Sequence, residues 1–463
     1  MSTGASAGMD ATEFARAISP WPGGSGRHLT SQLTLAIRHA ISSGLLRPSD
    51  RLPPERALAE ALNVSRPTVS AVMHELRTGG LVASRQGSGS WIRESSQPVT
   101  SPIPFFELIQ QPGLIDLAAA TAPDAAILDG IRIEGADLLA ADPANGLSPT
   151  GLHDLRESIA ARLRTWTPSI GAGDVIVTSG AHQALALLVA TLVPRGATVL
   201  VEDVTYGGLI DIIETNGARV VGIERDAEGP RPDSLRSLIE RHQPALTILV
   251  SSVHSPTGTI ASEQRNADLA AVLSSTDGHI AIDETYADLE FRPSARTLTA
   301  ALGGRAILVS SLSKSARLGL RTGWVAAPTS ELVTSLARQR WSRFDLGQPI
   351  PSQLVALEVL RRFDGMVADR RAVLVERSSW LTETLADAFP DWEITPAAGG
   401  LAMWIRLPGA DSTRFVARAA ERGIAVLPGS ACRADRGIDP HIRVCFDRSI
   451  ATLEEAVARL TGA

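Results

Sequence analysis

From about residue 114 to its end the chain alternates short apolar runs with longer stretches of helical periodicity. Such alternation specifies an α/β fold, a mostly parallel sheet covered by helices on its faces. Candidate strands fall at 174–178, 198–201, 246–250, 280–282, 306–310 and 323–326. Side chains with chemical capability follow nearly every one. Ser179, Gly180, Ala181 and His182 come after the first, Tyr206 after the second and Ser255 after the third. Asp283 and Tyr286 follow the fourth, and Ser311, Ser313 and Lys314 the fifth. Ligands of open α/β sheets bind beyond the carboxyl ends of the strands, so these groups are expected to converge on one crevice.

Lys314 is the only lysine among 44 basic residues; the other 43 are arginine. Guanidinium stays protonated at any biological pH, whereas burial and neighbouring cations can reduce an ammonium to a free amine. A free amine forms a Schiff base with an aldehyde. Compositional bias can also leave one lysine on a surface, but it does not account for what surrounds this one. The residue types match the needs of pyridoxal 5'-phosphate (PLP). Lys314 supplies the imine nitrogen, and Asp283 at a strand end keeps a proton on the pyridine nitrogen. Tyr206 offers a face to stack on the ring, and Tyr286 a hydroxyl for its phenolic oxygen. These two are the only tyrosines in the chain. Gly180, Ala181 and His182 open a helix whose amides can receive a phosphate, with Ser311, Ser313 and Arg321 completing the cup. Each residue alone has a plain structural role: a turn, a strand-end cap, a core tyrosine. Their joint order around the one lysine argues for a site.

The first hundred residues read differently. Residues 1–27 are small and polar and are expected to form a mobile arm. Leu33, Ile37, Ile41 and Leu45 then recur at helical spacing, with Thr30 or Ser31 as N-cap. A second helix starts at Pro54, and a third, capped by Ser65, turns Val69, Val72 and Leu76 inward. Two short strands, 81–84 and 90–92, flank a glycine-rich tip. Three helices and a hairpin make a winged helix-turn-helix over 28–93, whose third helix fits a major groove. Residues 94–113 carry four prolines and read as a semi-rigid spacer.

Charge supports the division. Residues 1–93 hold 10 Arg against 6 acids, while the rest hold 34 basic and 44 acidic residues. A basic head on an acidic body suits a polyanionic partner for the head. The longest apolar stretch, 184–193, is too short to span a bilayer, and residues 1–14 lack the pattern of a signal peptide. The two cysteines, Cys432 and Cys445, have no metal-ligand spacing and fit a reducing, cytoplasmic setting.

Two resemblances follow from particular strings. RLPPERALA (51–59), NVSRPTV (63–69) and GSG (87–89) resemble the GntR family of bacterial regulators. That resemblance implies DNA contacts by Arg56, Ser65, Arg66, Thr68, Gly87, Ser88 and Gly89, with Arg85 beside the wing tip. DVIVTSGAHQAL (174–185), VEDVTY (201–206), SPTG (255–258), DETY (283–286), SLSKSARLGLRTGW (311–324) and IRVCF (442–446) resemble fold-type-I, aspartate-aminotransferase-like PLP enzymes. It implies that Arg443 grips an α-carboxylate, that the body spans 114–463 with a small subdomain from roughly 345, and that the protein is a homodimer. Ser255 stands where that family usually has Asn, and Leu147 where it commonly has a Tyr reaching the neighbouring subunit. Both replacements remove polar contacts to the cofactor. The order of head, spacer and body resembles the MocR/GabR group. This implies a transcription regulator that binds an operator and senses an amino acid or amine by exchange at Lys314. The alternatives are an active aminotransferase with a residual or autoregulatory head, and a sensor of PLP itself.

Overall fold

The computed structural model describes residues 9–18, 29–42, 46, 50–78, 81–85, 89–92, 105–109, 113–121, 128–141, 146–292 and 296–462. The chain divides into two compact units, residues 1–112 with 413–423, and residues 113–412 with 424–463.

In the first unit, helices α1 (Ala11–Ala17), α2 (Leu29–Ser42), α3 (Glu55–Ala61) and α4 (Arg66–Thr78) share a core with strands β1 (Arg51–Leu52), β2 (Val82–Arg85) and β3 (Gly89–Ile92). The expected mobile arm is corrected over α1. Asp10 Oδ1 accepts from the amides of Thr12 and Glu13 at 2.7 and 2.8 Å, and Glu13 returns a bond to the Asp10 amide, a complete capping box. Phe14 and Ile18, four apart on one face, are buried with Leu33, Leu58 and Val72. The arm's small, polar composition concealed these two anchors. Thr30 and Ser31 have helical backbone within α2 (Leu29–Ser42) and are not its N-cap. Ser65 does cap α4, its Oγ accepting from the Thr68 amide at 3.2 Å. Strand β1 was not expected; it pairs with β3 through Arg51–Trp91 and Leu52–Ser90, so the hairpin becomes the three-stranded sheet β1-β3-β2. Gly87 and Ser88 of the wing lie outside the described residues. So does the spacer, apart from the short helix α5 (Phe105–Ile109) and Gly113.

The second unit opens with β4 (Ile115–Asp116), α6 (Gly135–Ala141) and α7 (His153–Leu163). There follow β5 (Val175–Thr178), α8 (Ala181–Leu192), β6 (Thr198–Glu202), α9 (Gly207–Thr215), β7 (Arg219–Ile223) and the short pair β8 (Arg225–Asp226) and β9 (Gly229–Pro230). Next come α10 (Pro232–His242), β10 (Leu246–Val250), α11 (Glu263–Leu273), β11 (His279–Asp283), α12 (Thr297–Leu302), β12 (Ala306–Ser311), α13 (Leu312–Ser315) and β13 (Gly323–Ala326). Seven strands form one sheet in the order β5-β13-β12-β11-β10-β6-β7, parallel except for β13. The unexpected member is the edge strand β7, whose Arg219 and Gly222 break the apolar run. Alternate residues feed cores on opposite faces: Ile280, Ile282 and Leu308 on one, Ala281, Ile307 and Val309 on the other. Burial on both faces accounts for the nearly unbroken apolar strands. Further on, β14 (Glu393–Thr395), β15 (Ala402–Arg406), β17 (Leu427–Pro428) and β18 (His441–Cys445) make an antiparallel sheet, and β16 (Ile424–Ala425) pairs with β4. No helix among the described residues is long and apolar enough to cross a membrane.

Candidate active site

The carboxyl ends of β5, β6, β10, β11 and β12 point the same way, because β5 and β12 are each antiparallel to the intervening β13. Short loops from these ends carry the residues singled out above.

Lys314 sits in α13, one turn beyond β12. Its Nζ donates to the Ala120 carbonyl at 2.6 Å and lies 5.8 Å from the Tyr286 ring centroid. Burial, and then the Arg443 guanidinium, lower its amine to a pKa of about 8. Arg443, on β18, is buried and donates to the Ala118 carbonyl. The backbone of 118–120 thus meets both cations. Sequence reasoning missed this, because carbonyl contacts leave no mark in side-chain identity.

Asp283 ends β11 and accepts from the Thr285 amide at 2.8 Å. Burial raises its pKa, opposed by that bond and by Lys314. Tyr286 is hydrogen-bonded to the Ser255 side chain, and burial drives its phenol well above the ordinary range. Tyr206 stands at the N-terminus of α9, its hydroxyl 3.3 Å from His182 Nδ1 and the two rings edge to face. His182 is held below its ordinary pKa by burial and by Arg321, so its imidazole is neutral near pH 7.

Gly180, at φ +121°, precedes α8, and the Arg321 guanidinium lies about 3.5 Å from where a Cβ on Gly180 would be. Ser311 caps α13, accepting from the Ser313 amide at 3.0 Å with its Oγ 2.6 Å from Ser313 Oγ. The first-turn amides of α8, Ala181 and His182 among them, therefore open beside Arg321, and Ser311 and Ser313 stand together at the start of α13. Leu147, by contrast, is 43 % exposed.

This set fits PLP on three observations. There is a half-buried amine of lowered pKa, a half-buried carboxylate one strand away, and a helix N-terminus with an arginine beside it. Lys314 would hold the aldehyde carbon and Asp283 the ring nitrogen. Ser255 and Tyr286 would meet the phenolic oxygen, Tyr206 the ring face, and the 180–182 amides with Ser311, Ser313 and Arg321 the phosphate.

The chain belongs to the aminotransferase class I and II family, whose model matches residues 114–460. This makes the body a fold-type-I, PLP-dependent domain. Residues 29–92 match the model of bacterial regulatory proteins of the gntR family. The chain is similar to the uncharacterized HTH-type transcriptional regulator YisV of Bacillus subtilis, 26% identical over 87% of this chain and 89% of that one. It is also similar to the HTH-type transcriptional regulator TauR of Rhodobacter capsulatus, 27% identical over 88% and 90%. Among solved structures, an archaeal alanine:glyoxylate aminotransferase superposes with a TM-score of 0.68 at 27% identity, covering 75% of this chain and 90% of its own.

Proposed function

We propose that this protein is a MocR/GabR-like transcription regulator, binding an operator through its winged helix and sensing an amino acid or amine in its PLP domain. The observation that carries the reading is the union in one chain of a gntR-type head with an aminotransferase-family body. The transcriptional regulators YisV and TauR match this chain over 89% and 90% of their own length. In the head, Arg56 and Arg66 are exposed, and Ser65 and Thr68 stand at the start of α4, where side chains reach phosphates and base edges. Arg85 and the tip glycines would add backbone contacts.

PLP would supply one electrophilic carbon, at which an effector amine can displace the Lys314 amine, and a ring that withdraws electrons. The chain's own residues set the terms of that competition. Burial keeps part of the Lys314 amine unprotonated near pH 7, and Asp283 holds a proton at the ring nitrogen. Arg443 engages the effector's carboxylate as a bidentate clamp, in place of the Ala118 carbonyl. Differential contacts of this kind are what a ligand needs to shift a conformational equilibrium. The protein acts as a homodimer in the cytoplasm, its two heads reading two half-sites.

The second reading is an active aminotransferase, favoured by the retained lysine, aspartate and arginine. A footprint of the cofactor-loaded protein on DNA upstream of its own gene, with and without a panel of amino acids, tests the first. Protection that changes with one amine in wild type, and does not in Lys314→Ala, supports the regulator. Steady transamination with no protected DNA overturns it.

A further inference from the structure

Behind Ser255 lies a buried polar ring outside the constellation described above. Glu202, at the end of β6, is 1% exposed. Its Oε1 accepts from the Val250 amide at the end of β10, 3.0 Å away. Its Oε2 is ion-paired with Arg225 Nη1 and faces His254 Nε2 at 3.3 Å. Arg225 Nη2 donates to Thr259 Oγ1 at 3.1 Å, which is 2.8 Å from Thr257 Oγ1. Thr257 Oγ1 is in turn 2.8 Å from His254 Nδ1.

Arg225 donates to Thr259, the Thr259 and Thr257 hydroxyls bridge to His254 Nδ1, and His254 Nε2 faces Glu202 as an electrostatic contact without a hydrogen bond. His254 is neutral, because burial and then Arg225 lower its pKa strongly. Burying an ionised carboxylate and a guanidinium is costly unless both are paired and hydrogen-bonded. Here the ring joins two strand ends to the turn 254–259, which also closes through His254 N to Thr259 O at 2.8 Å and Gly258 N to His254 O at 2.7 Å. Ser255, inside that turn, is the residue bonded to Tyr286.

We propose that Glu202, Arg225, His254 and Thr257 are positioning residues of the cofactor site, holding the Ser255 hydroxyl against Tyr286 and so aiming both at the cofactor's phenolic oxygen. The proposal rests on the cofactor reading above. A serine side chain is shorter than the asparagine usual in the family, so the backbone of the turn must carry it to its contact. The ring fixes that backbone.

The test is a double-mutant cycle on the full-length protein with Thr257→Val, Ser255→Ala and both together. Three quantities are measured: PLP affinity from the visible absorbance, the position of that band, and the melting temperature of the cofactor-free protein. Thr257→Val opens the ring while leaving Glu202 and Arg225 paired. Each single variant is expected to weaken PLP about tenfold, the effect of one lost hydrogen bond, and to move the band. The double variant is expected to be no worse than Ser255→Ala. Additive losses, or a Thr257→Val that melts lower with affinity and band unchanged, overturn the proposal. If Thr257→Val does not fold, Glu202→Gln carries the same test, since it keeps the acceptor for Val250. A wild-type protein with no Lys314-dependent band overturns the cofactor reading and this inference together. A wild-type band that Thr257→Val leaves untouched overturns this inference alone.

Discussion

The amine of Lys314 is the group whose behaviour the structure constrains most sharply. Its ordinary pKa of 10.5 falls to about 8, through burial first and the Arg443 guanidinium second. At pH 7 the unprotonated fraction is then about one tenth, against about 0.03% for an unperturbed lysine. The rate at which the cofactor-free protein captures PLP should follow that fraction. It should climb about tenfold per pH unit below 7, bend near pH 8 and be flat by pH 9.5. Arg443→Met removes the second cause and should move the bend to higher pH. Stability carries the same signature. The folded state disfavours the charged form, so between pH 8 and 10.5 the unfolded chain binds more protons and stability rises with pH. The full difference is about 3 kcal/mol, the cost of holding the ammonium buried at neutral pH. Stopped-flow capture kinetics from pH 6 to 10 check the first expectation and denaturant titrations the second. A capture rate still rising tenfold per unit at pH 10 would refute the reasoning, for it would mean that the amine titrates like a solvated lysine.

Two further outcomes follow from packing. Phe14→Ala removes a fully buried ring from the head and should cost it about 3–5 kcal/mol, read as an earlier denaturation of that unit with PLP binding unchanged. Gly323→Ala places a methyl carbon 2.7 Å from the Gly180 backbone, in the strand beside the start of α8. Overpacking of this kind costs about 1–3 kcal/mol, and displacing Gly180 beside Arg321 should weaken PLP binding measurably by absorbance titration.

Much of the site was legible in the sequence, for a physical reason. Strands buried on both faces are nearly continuous apolar runs, and loops at one end of a parallel sheet share a crevice whatever the strand order. Lys314, Asp283, Tyr206 and Tyr286 could therefore be assigned to one place before any distance was known. The cap of α4 at Ser65 was local and equally visible. Other features were concealed. Helix α1 hides in a polar segment because its two anchors, Phe14 and Ile18, matter only once another core exists to receive them. The edge strand β7 and the two-residue β1 are held by pairing with a neighbour, while their own sequences carry little strand signal.

By itself, then, the sequence determined which residue types stand at the strand ends, and with them the chemistry available. Tertiary structure alone decided what those residues do to one another. It brought the carbonyls of Ala118 and Ala120 to Arg443 and Lys314, set Arg443 close enough to depress the lysine, and closed Glu202, Arg225, His254 and two threonines into a ring. Contacts through backbone atoms, and electrostatic effects between groups more than a hundred residues apart, depend on distance, which sequence order does not encode.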